Sequence, residues 1–447
     1  MTKEKFKINQ GYILAISFVS AMGGYLFGFD FAVIAGALPF LTEQFLFDAY
    51  WEGFATASLA LGCVLGCLVA GSVSDKYGRK PGLMLAALLF LISSLAMAFS
   101  STRDLFILAR FVAGIGVGMA SMLSPLYIAE VAPANTRGRM VAINQLTIVV
   151  GILITNLVNY YLRNSGPDAW RWMVGLGAVP SGIFLLGVAW LPESPRWLLK
   201  VGQDKKAEII LNKIGGSAYV TDSLSRIKST LTGSQVKVGY RDVFSKVFLR
   251  AVTVGIGLAV FQQFCGINVV FNFTTIIFES IGFSKDDQLK QTVFIGITNL
   301  LFTLFAMWQV DKLGRKPLMI FGSLSLAVLY IISGLLLQSQ SAYAAIPLLA
   351  SIGVYAMTLG PVTWVLISEI FPNKIRGTAT SVAVISLWLS YALLVFTFPI
   401  LANKLGAYTP FYIYAAVCIV GFLFVSIRVK ETKGKTLEDL ENIFSGH

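Results

Sequence analysis

Histidine is almost absent from this chain of 447 residues, and its only copy is His447, the last residue. Because imidazole is the most frequent general base and a common zinc ligand near neutral pH, this absence excludes most histidine catalysis and most zinc chemistry. The four cysteines, Cys63, Cys67, Cys265 and Cys418, lie in apolar stretches, where a free thiol behaves as a small hydrophobic group. The sequence therefore predicts no metal site, no cofactor and no enzyme activity.

Charged residues are also scarce, since they make up 13% of the chain while hydrophobic residues make up 56%. A soluble domain carries roughly a quarter of its residues as charges, so a soluble protein of this composition would expose too much apolar surface. The composition excludes an ordinary soluble protein and indicates a membrane protein.

Long stretches free of charge recur along the sequence, and each can cross a hydrocarbon layer of about 30 Å as a helix of roughly 20 residues. They are Ile8–Phe29 with its continuation past Asp30, Gly53–Ser74, Pro81–Thr102, Phe111–Ala129, Met140–Leu162, Trp172–Pro192, Ala251–Phe278, Gln291–Val310, the double-length Pro317–Ser368, Gly377–Asn403 and Leu405–Ile427. Because the double-length stretch has room for two spans, we predict twelve membrane-spanning helices.

The net charge of +12 is unevenly distributed. Twelve spans place both termini on one side of the membrane, and most Lys and Arg residues fall in the loops on that side. Basic loops mark the cytoplasmic side, so we predict cytoplasmic termini in a plasma membrane, which in a bacterium is the inner membrane. The basic excess then reflects topology in a lipid bilayer and requires no nucleic acid.

The two halves of the chain repeat each other. Residues Asp75–Pro81 recur as Asp311–Pro317, and Glu130–Pro133 recur as Glu369–Pro372. Each repeat contains six spans, an even number, so the copies have the same orientation and are related by an axis along the membrane normal. This arrangement predicts two six-helix bundles with a cavity between them.

Polar segments separate and follow the two bundles. We predict an N-terminal bundle over residues 1–192, a cytoplasmic helical linker over 193–245, a C-terminal bundle over 246–430 and a cytoplasmic tail over 431–447. Apolar residues gather on one face of Asp204–Leu211, and Lys435–Glu441 has a similar pattern, so a short amphipathic helix is expected in each.

Five motifs follow one another along nearly the full length of the chain. They are Asp75–Lys80 with its copy, Pro192–Trp197, Gln262–Asn268, Gly360–Trp364 and Lys430–Gly434. In this combination they resemble the sugar porter branch of the major facilitator superfamily, and most of all its bacterial sugar–proton symporters of the xylose type. The resemblance implies an all-α membrane protein with the major facilitator fold, twelve helices in two six-helix bundles, and cytoplasmic helices between the halves and at the C-terminus.

Two charges lie within the predicted spans, Asp30 in the first and Arg110 at the start of the fourth. Charges inside a membrane are costly and usually face an interior cavity or each other, so they are functional candidates. The resemblance implies that Asp30 binds a coupling proton and that protonation releases Arg110. The alternative is a static buried ion pair with a structural role.

Neutral amides and aromatic rings suit sugars, because amides both donate and accept hydrogen bonds and rings cover the apolar faces of the sugar. The resemblance implies sugar contacts from Gln145, Gln262, Gln263, Asn268, Asn299 and Trp364, with Phe27 and Trp388 as further aromatic candidates and Gly360 at a break in the tenth span. Gln262 and Gln263 point about 100° apart on a regular helix, so both reach one sugar only if the seventh span is irregular, which Gly266 permits. Alternatively, the amides join helices and the tryptophans pack in the core or the lipid belt.

The sequence departs from the family pattern at three positions. Ile152 stands where xylose symporters have glutamine, Leu387 where relatives have glutamine or asparagine, and Asn272 where a tyrosine is usual. These differences change the pattern of hydrogen bonds offered to a sugar, so the resemblance does not identify which sugar binds.

Acidic and basic residues pair by position at the cytoplasmic ends of the spans. The resemblance implies a gate network of Arg79, Glu130, Arg137, Glu193, Arg315, Glu369, Arg376 and Glu431 that stabilises the outward-open state. The alternative is helix capping together with topology signals, because single exposed pairs contribute little.

These observations predict a monomeric carrier that imports a hexose or pentose with a proton by alternating access. A facilitative uniporter of the same fold remains open, as does a non-transporting sugar sensor. The sequence contains no constellation of catalytic residues that would favour a membrane enzyme.

Overall fold

The computed structural model describes residues 8–133, 136–233, 243–245, 247–372 and 375–433. Regular structure within these ranges is helical throughout. Twelve segments in the described part of the chain are long and apolar enough to cross a membrane, as the sequence predicts.

The described residues of the first six spans and the linker form nine helices. They are α1 (Gln10–Phe45), α2 (Ala49–Tyr77), α3 (Arg79–Ala98), α4 (Arg103–Val131), α5 (Arg137–Leu162), α6 (Ala169–Gly175) and α7 (Ala178–Trp190), followed by α8 (Pro195–Lys200) and α9 (Asp204–Gly233). Helices α6 and α7 together form the sixth span.

The last six spans also comprise nine helices in the described residues. They are α10 (Leu249–Phe264), α11 (Ile267–Asn272), α12 (Thr274–Glu279), α13 (Lys285–Leu313), α14 (Arg315–Gln338), α15 (Ala345–Met357), α16 (Leu359–Ile370), α17 (Arg376–Leu405) and α18 (Thr409–Arg428). The double-length apolar stretch divides into α14 and the pair α15–α16, as expected.

The seventh span is broken at Gly266, which separates α10 from α11. Gly266 has φ of +87°, a left-handed conformation that residues with a side chain rarely adopt. The predicted irregularity is therefore present. A second break at Phe273, between α11 and α12, was not predicted, because no glycine or proline marks it.

The tenth span breaks at Thr358, whose φ and ψ are −124° and −93°. The sequence placed this break at Gly360 and Pro361, but both lie in the first turn of α16. Proline is tolerated there because the first turn of a helix leaves its N–H groups without helical partners. The break is therefore two residues earlier than predicted.

Glycines allow α2 and α4 to approach until their backbones touch. Four line this seam: Gly62 and Gly66 on α2, Gly114 and Gly118 on α4. A Cβ atom on Gly114 would lie 2.0 Å from the main-chain oxygen of Leu59, so only glycine fits. The seam fixes α4, which carries Arg110, against α2.

The two bundles meet on the side away from the start of α1 and the end of α18, here called the distal side; the opposite side is called the terminal side. Polar contacts that join the bundles there are the ion pairs Arg163–Asp286 and Lys285–Glu43 and the hydrogen bonds from Asn156 Nδ2 to Thr292 O (2.7 Å) and from Thr275 Oγ1 to Ala35 O (3.3 Å). Helices α2 and α17 also touch, since a Cβ on Gly53 would lie 2.4 Å from Phe396 O. The bundles are thus held together distally.

The linker helices pack beneath the N-terminal bundle. The main-chain N–H of Asn9 donates to Ile214 O on α9 (2.8 Å), and Ile214 packs with Ile13 and Met140. The expected helix at Asp204–Leu211 is part of α9. The expected helix at Lys435–Glu441 lies outside the described residues.

Candidate functional site

Asp30 on α1 and Arg110 on α4 are buried together, with 1% and 0% of their surfaces exposed. The guanidinium donates from Nε to Ala55 O on α2 (3.0 Å) and from Nη2 to the main-chain oxygen of Asp30 (3.4 Å). Asp30 Oδ1 and Arg110 Nη1 have no hydrogen-bond partner among the described residues. In this conformation Arg110 is therefore held by main-chain oxygens and not by the carboxylate.

A continuous row of amide side chains crosses the break in the seventh span. Asn268 Nδ2 donates to Gln263 Oε1, and Gln263 Nε2 donates to Gln262 Oε1 (3.3 Å). Gln262 Nε2 in turn donates to the main-chain oxygens of Leu359 (3.3 Å) and Gly360 (3.1 Å) at the start of α16. We call Gln262, Gln263 and Asn268 the amide row. The row joins the breaks of the seventh and tenth spans.

Three other candidates for sugar contacts lie on separate helices. Gln145 is half-buried on α5, Asn299 is buried on α13, and Trp364 on α16 is 41% exposed. In the described structure none of the three makes a hydrogen bond with the amide row. Among the predicted sugar contacts, the three side chains of the amide row are therefore the ones that hydrogen bonds connect to one another in this conformation.

Aromatic rings fill the interface between α1, α11 and α17. The ring of Trp388 lies 5.6 Å from Phe27 and 5.9 Å from Tyr391, and Phe31 lies 5.8 Å from Phe271 and 5.7 Å from Tyr391. Such offset and edge contacts are favourable for aromatic pairs. Trp388, only 3% exposed, is thus part of a packed cluster between the bundles.

The terminal end of the N-terminal bundle carries a buried charge cluster. Arg79 donates to Glu130 from Nε and Nη2, both at 2.8 Å. Glu193 accepts from the main-chain N–H groups of Arg79 (2.9 Å), Lys80 and Ser194 (2.8 Å) at the start of α3. Burial raises the pKa of Glu193 above its ordinary value, although these N–H groups oppose the shift.

The C-terminal bundle repeats this arrangement. Arg315 pairs with Glu369 at 3.4 Å, and Glu431 accepts from the N–H groups of Arg315 and Lys316, each at 3.0 Å, at the start of α14. Burial tends to raise the pKa of Glu431, but hydrogen bonds from four backbone N–H groups, the other two those of Thr432 and Lys433, outweigh it, so the pKa is lowered. Equivalent carboxylates in the two halves therefore differ in pKa because Glu193 is more deeply buried.

A profile of the family described as "Sugar (and other) transporter" matches residues 16–444 of this sequence. The chain belongs to this family of sugar transporters. It is 38% identical to the D-xylose-proton symporter of Escherichia coli K12, covering 98% of this chain and 96% of that one. It is also 36% identical to the arabinose-proton symporter of Bacillus subtilis 168, with 98% and 96% covered.

Solved structures of the xylose transporter XylE from E. coli have the same fold. This sugar transporter matches the partially occluded inward-open conformation with a TM-score of 0.86 and 37% identity, covering 96% of this chain and 100% of that one. It matches the proton:xylose symporter XylE bound to 6-bromo-6-deoxy-D-glucose with a TM-score of 0.81 at the same identity, covering 98% and 100%. The major facilitator fold predicted from the motifs is confirmed.

Two arginines of the predicted gate network of this sugar transporter, Arg137 and Arg376, lie at the starts of α5 and α17. Arg137 is exposed at the start of α5, and within the described ranges no carboxylate lies within 4 Å of it. Arg376 donates to the main-chain oxygen of Phe371 (3.2 Å). The participation of Arg137 and Arg376 in the gate network therefore stays a prediction.

Sequence reasoning missed Phe31, Phe271 and Tyr391 as members of the central cluster of this sugar transporter. In an apolar span such residues look like core or lipid-facing residues. One signal could have identified Tyr391: it follows Trp388 by three residues, so both lie on the same face of α17.

The four cysteines of this sugar transporter are buried and free. In the described part of the chain, no group of three or more His, Cys, Asp or Glu residues could hold a metal ion.

Proposed function

We propose that this sugar transporter imports a monosaccharide together with a proton by alternating access. The observation that carries the proposal is the burial of Asp30 and Arg110 together in the N-terminal bundle, in a chain that also buries the three residues of the amide row. The names of the related D-xylose-proton and arabinose-proton symporters support the same function.

The proposed sugar site is the amide row together with Gln145, Asn299, Trp364, Phe27 and Trp388. In the structure the amides bond to one another and to Gly360 O. Sugar hydroxyls can replace these bonds one for one, because each hydroxyl donates and accepts. Replacing the bond between Gln262 and Gly360 would free the break of the tenth span, which links binding to movement.

We propose that the described conformation releases sugar on the terminal side. The ion pairs and hydrogen bonds of the distal interface close the opposite route. The basic loops support a cytoplasmic location for both termini, so the open side would be cytoplasmic. We further propose that one chain is a complete carrier, since each bundle contributes side chains to a single central site.

The proposed proton step follows from the geometry of Arg110. When Asp30 carries a proton it no longer attracts the guanidinium, whose Nε and Nη2 atoms can stay on the main-chain oxygens of Ala55 and Asp30. When Asp30 is ionised, the guanidinium can turn to the carboxylate.

The test is external pH in lightly buffered, de-energised cells that express the protein, with glucose, xylose, galactose, fructose, arabinose and myo-inositol added singly. Alkalinisation with some sugars, absent in Asp30→Asn, is the expected result. The Asp30→Asn variant should still exchange labelled sugar across the membrane, because exchange needs no net proton movement.

Two outcomes would overturn the proposal. Labelled sugar that equilibrates without any proton uptake would identify a uniporter whose Asp30–Arg110 pair is structural. A sugar that binds without any exchange across the membrane would identify a sensor.

A further inference from the structure

Three buried polar atoms without partners lie between α4, α11 and α17. They are Arg110 Nη1, Tyr391 OH and Asn272 Oδ1. Their residues are 0%, 1% and 0% exposed. Unpaired buried polar atoms are rare because each loses its hydrogen bonds to water without replacement, so three together need a physical reason.

The chemistry of the three atoms is complementary. Arg110 Nη1 can only donate, the Tyr391 hydroxyl can donate and accept, and Asn272 Oδ1 can only accept. The Tyr391 side chain interacts electrostatically with both the Arg110 guanidinium and the Asn272 amide. One chain of bonds, from Arg110 to Tyr391 to Asn272, would satisfy all three atoms.

Asn272 connects this group to the amide row. Its Nδ2 donates to the main-chain oxygen of Asn268 (2.6 Å), one turn earlier on α11. Asn268 donates in turn to Gln263. A change at Asn272 therefore reaches the amide row within one helix turn.

Tyr391 is also held in place by packing. Its ring lies 5.7 Å from Phe31 and 5.9 Å from Trp388. The hydroxyl therefore cannot move away from Arg110 and Asn272 without disturbing the aromatic cluster. Among the described residues, the fully buried Cys63 on α2 also interacts electrostatically with Asp30, Arg110 and Tyr391.

We propose that Tyr391 and Asn272 are positioning residues that transmit the protonation state of Asp30 to the amide row. With a proton on Asp30, Arg110 is free to donate to Tyr391, and Tyr391 donates to Asn272. With Asp30 ionised, Arg110 turns to the carboxylate and the chain is broken. The proton itself stays on Asp30, and only hydrogen bonds change. This inference rests on the proposed function of Asp30 and Arg110.

The test uses the full-length protein in lipid vesicles and the sugar that gives proton uptake in cells. Tyr391→Phe removes only the hydroxyl, and Asn272→Leu removes only the amide at similar size. We expect each variant to lower sugar accumulation driven by a pH gradient by about tenfold, the effect of one hydrogen bond. The dependence of sugar affinity on pH should flatten in both, and the double variant should lose no more than either single one, because both interrupt one chain of bonds.

Tyr330→Phe is the matched control, since it removes another buried and unpaired hydroxyl, on α14 against Phe411 and Tyr414. It should accumulate sugar like the parent protein. Thermal unfolding of each variant shows whether a loss reflects folding, and Asn272→Leu provides the second reading if Tyr391→Phe folds poorly.

Coupled accumulation and a pH-dependent affinity that survive in both Tyr391→Phe and Asn272→Leu would overturn this inference alone. Additive losses in the double variant would also overturn it, because they indicate two independent contacts. A parent protein that takes up no proton with sugar would instead overturn the proposed function, so the two failures are distinguishable.

Discussion

Trp364 and Trp388 differ in how accessible each side chain is to a ligand. Trp364 is 41% exposed on α16, whereas Trp388 is 3% exposed within the aromatic cluster. An exposed indole can cover a sugar face directly, while a buried indole must first leave its neighbours.

We therefore expect Trp364→Ala to weaken sugar binding by about two- to tenfold, the effect of losing one aromatic contact of about 0.5–1.5 kcal/mol. Trp388→Ala should instead lower thermal stability, because it leaves a cavity of a ring's volume, at a cost of about 3–5 kcal/mol. Binding titrations and thermal unfolding on the same samples separate the two effects.

Trp190→Ala provides the control, since Trp190 is exposed at the end of α7. This variant should change neither sugar affinity nor thermal stability. An unchanged affinity in Trp364→Ala would remove Trp364 from the site.

At this scale the sequence predicts residue types better than contacts. The charges in spans and the amides of Gln262–Asn268 stand out because polar groups are unusual in lipid. The bond from Arg110 to a main-chain oxygen was not predictable, since any carbonyl in a helix can accept it.

Gly266 sets the path of the seventh span at the scale of the element. A Cβ there would lie 2.3 Å from the ring of Tyr414, and its φ of +87° is unfavourable for any other residue. Gly266→Ala should therefore lower the free energy of unfolding by more than the roughly 1–2 kcal/mol of the left-handed conformation alone, and should disrupt the amide row.

Gly71→Ala is the control, because a Cβ at Gly71 on α2 meets nothing within 4 Å. It should stabilise the helix by roughly 0.5–1 kcal/mol. Equal thermal stability of the two variants would show that the break at Gly266 is not required.

Glu193 and Glu431 occupy equivalent places at the starts of α3 and α14 but differ in pKa. The pKa of Glu431 is lowered in the folded protein, so its ionised form stabilises the fold near neutral pH and this contribution is lost as pH falls. The pKa of Glu193 is raised, so its ionisation opposes folding, and stability falls as pH rises through that pKa.

Glu431→Gln should therefore lower stability near neutral pH by about 0.3–1 kcal/mol, the value of a charge at a helix N-terminus, and the difference should vanish in acid. Glu193→Gln should cost less near neutral pH. Thermal unfolding as a function of pH measures both, and the opposite order would contradict the pKa assignment.

The breaks in the helices show what local sequence can predict. Glycine at Gly266 marks its break because backbone conformation is a local property. The break at Thr358 moved from the predicted Gly360 because tertiary bonds from Gln262 hold the start of α16, and such contacts between distant residues have no local signature.

At the scale of the whole molecule, the distal interface decides which side is closed. The ion pair of Arg163 and Asp286 crosses the bundles there. Arg163→Ala should raise the population opened on the distal side by up to about fivefold, since one exposed pair contributes up to about 1 kcal/mol. Spin labels at Tyr161→Cys and Tyr343→Cys, on exposed distal positions of the two bundles, measure the distance between the distal ends of the bundles.

Arg171→Ala is the control, because Arg171 pairs with Asp168 inside the N-terminal bundle. It should leave the distance distribution unchanged. An equal shift in both variants would indicate a general effect of surface charge.

The repeat in the sequence predicts two bundles, but it cannot predict which side is closed. Both conformations use the same helices, so they differ by a few contacts between the halves, such as those of Asn156 and Arg163. The division into residues 1–192, 193–245, 246–430 and 431–447 stays a prediction.

All four native thiols are buried, so the unmodified chain should give little background signal in chemical labelling of cysteines. A maleimide added to the unmodified protein should find almost nothing to react with, so cysteines introduced at chosen positions can be read without first removing the natural ones. Cys67 lies on α2, which packs against α17 of the other bundle. The rate at which maleimide modifies Cys67 would therefore report how often the two halves separate.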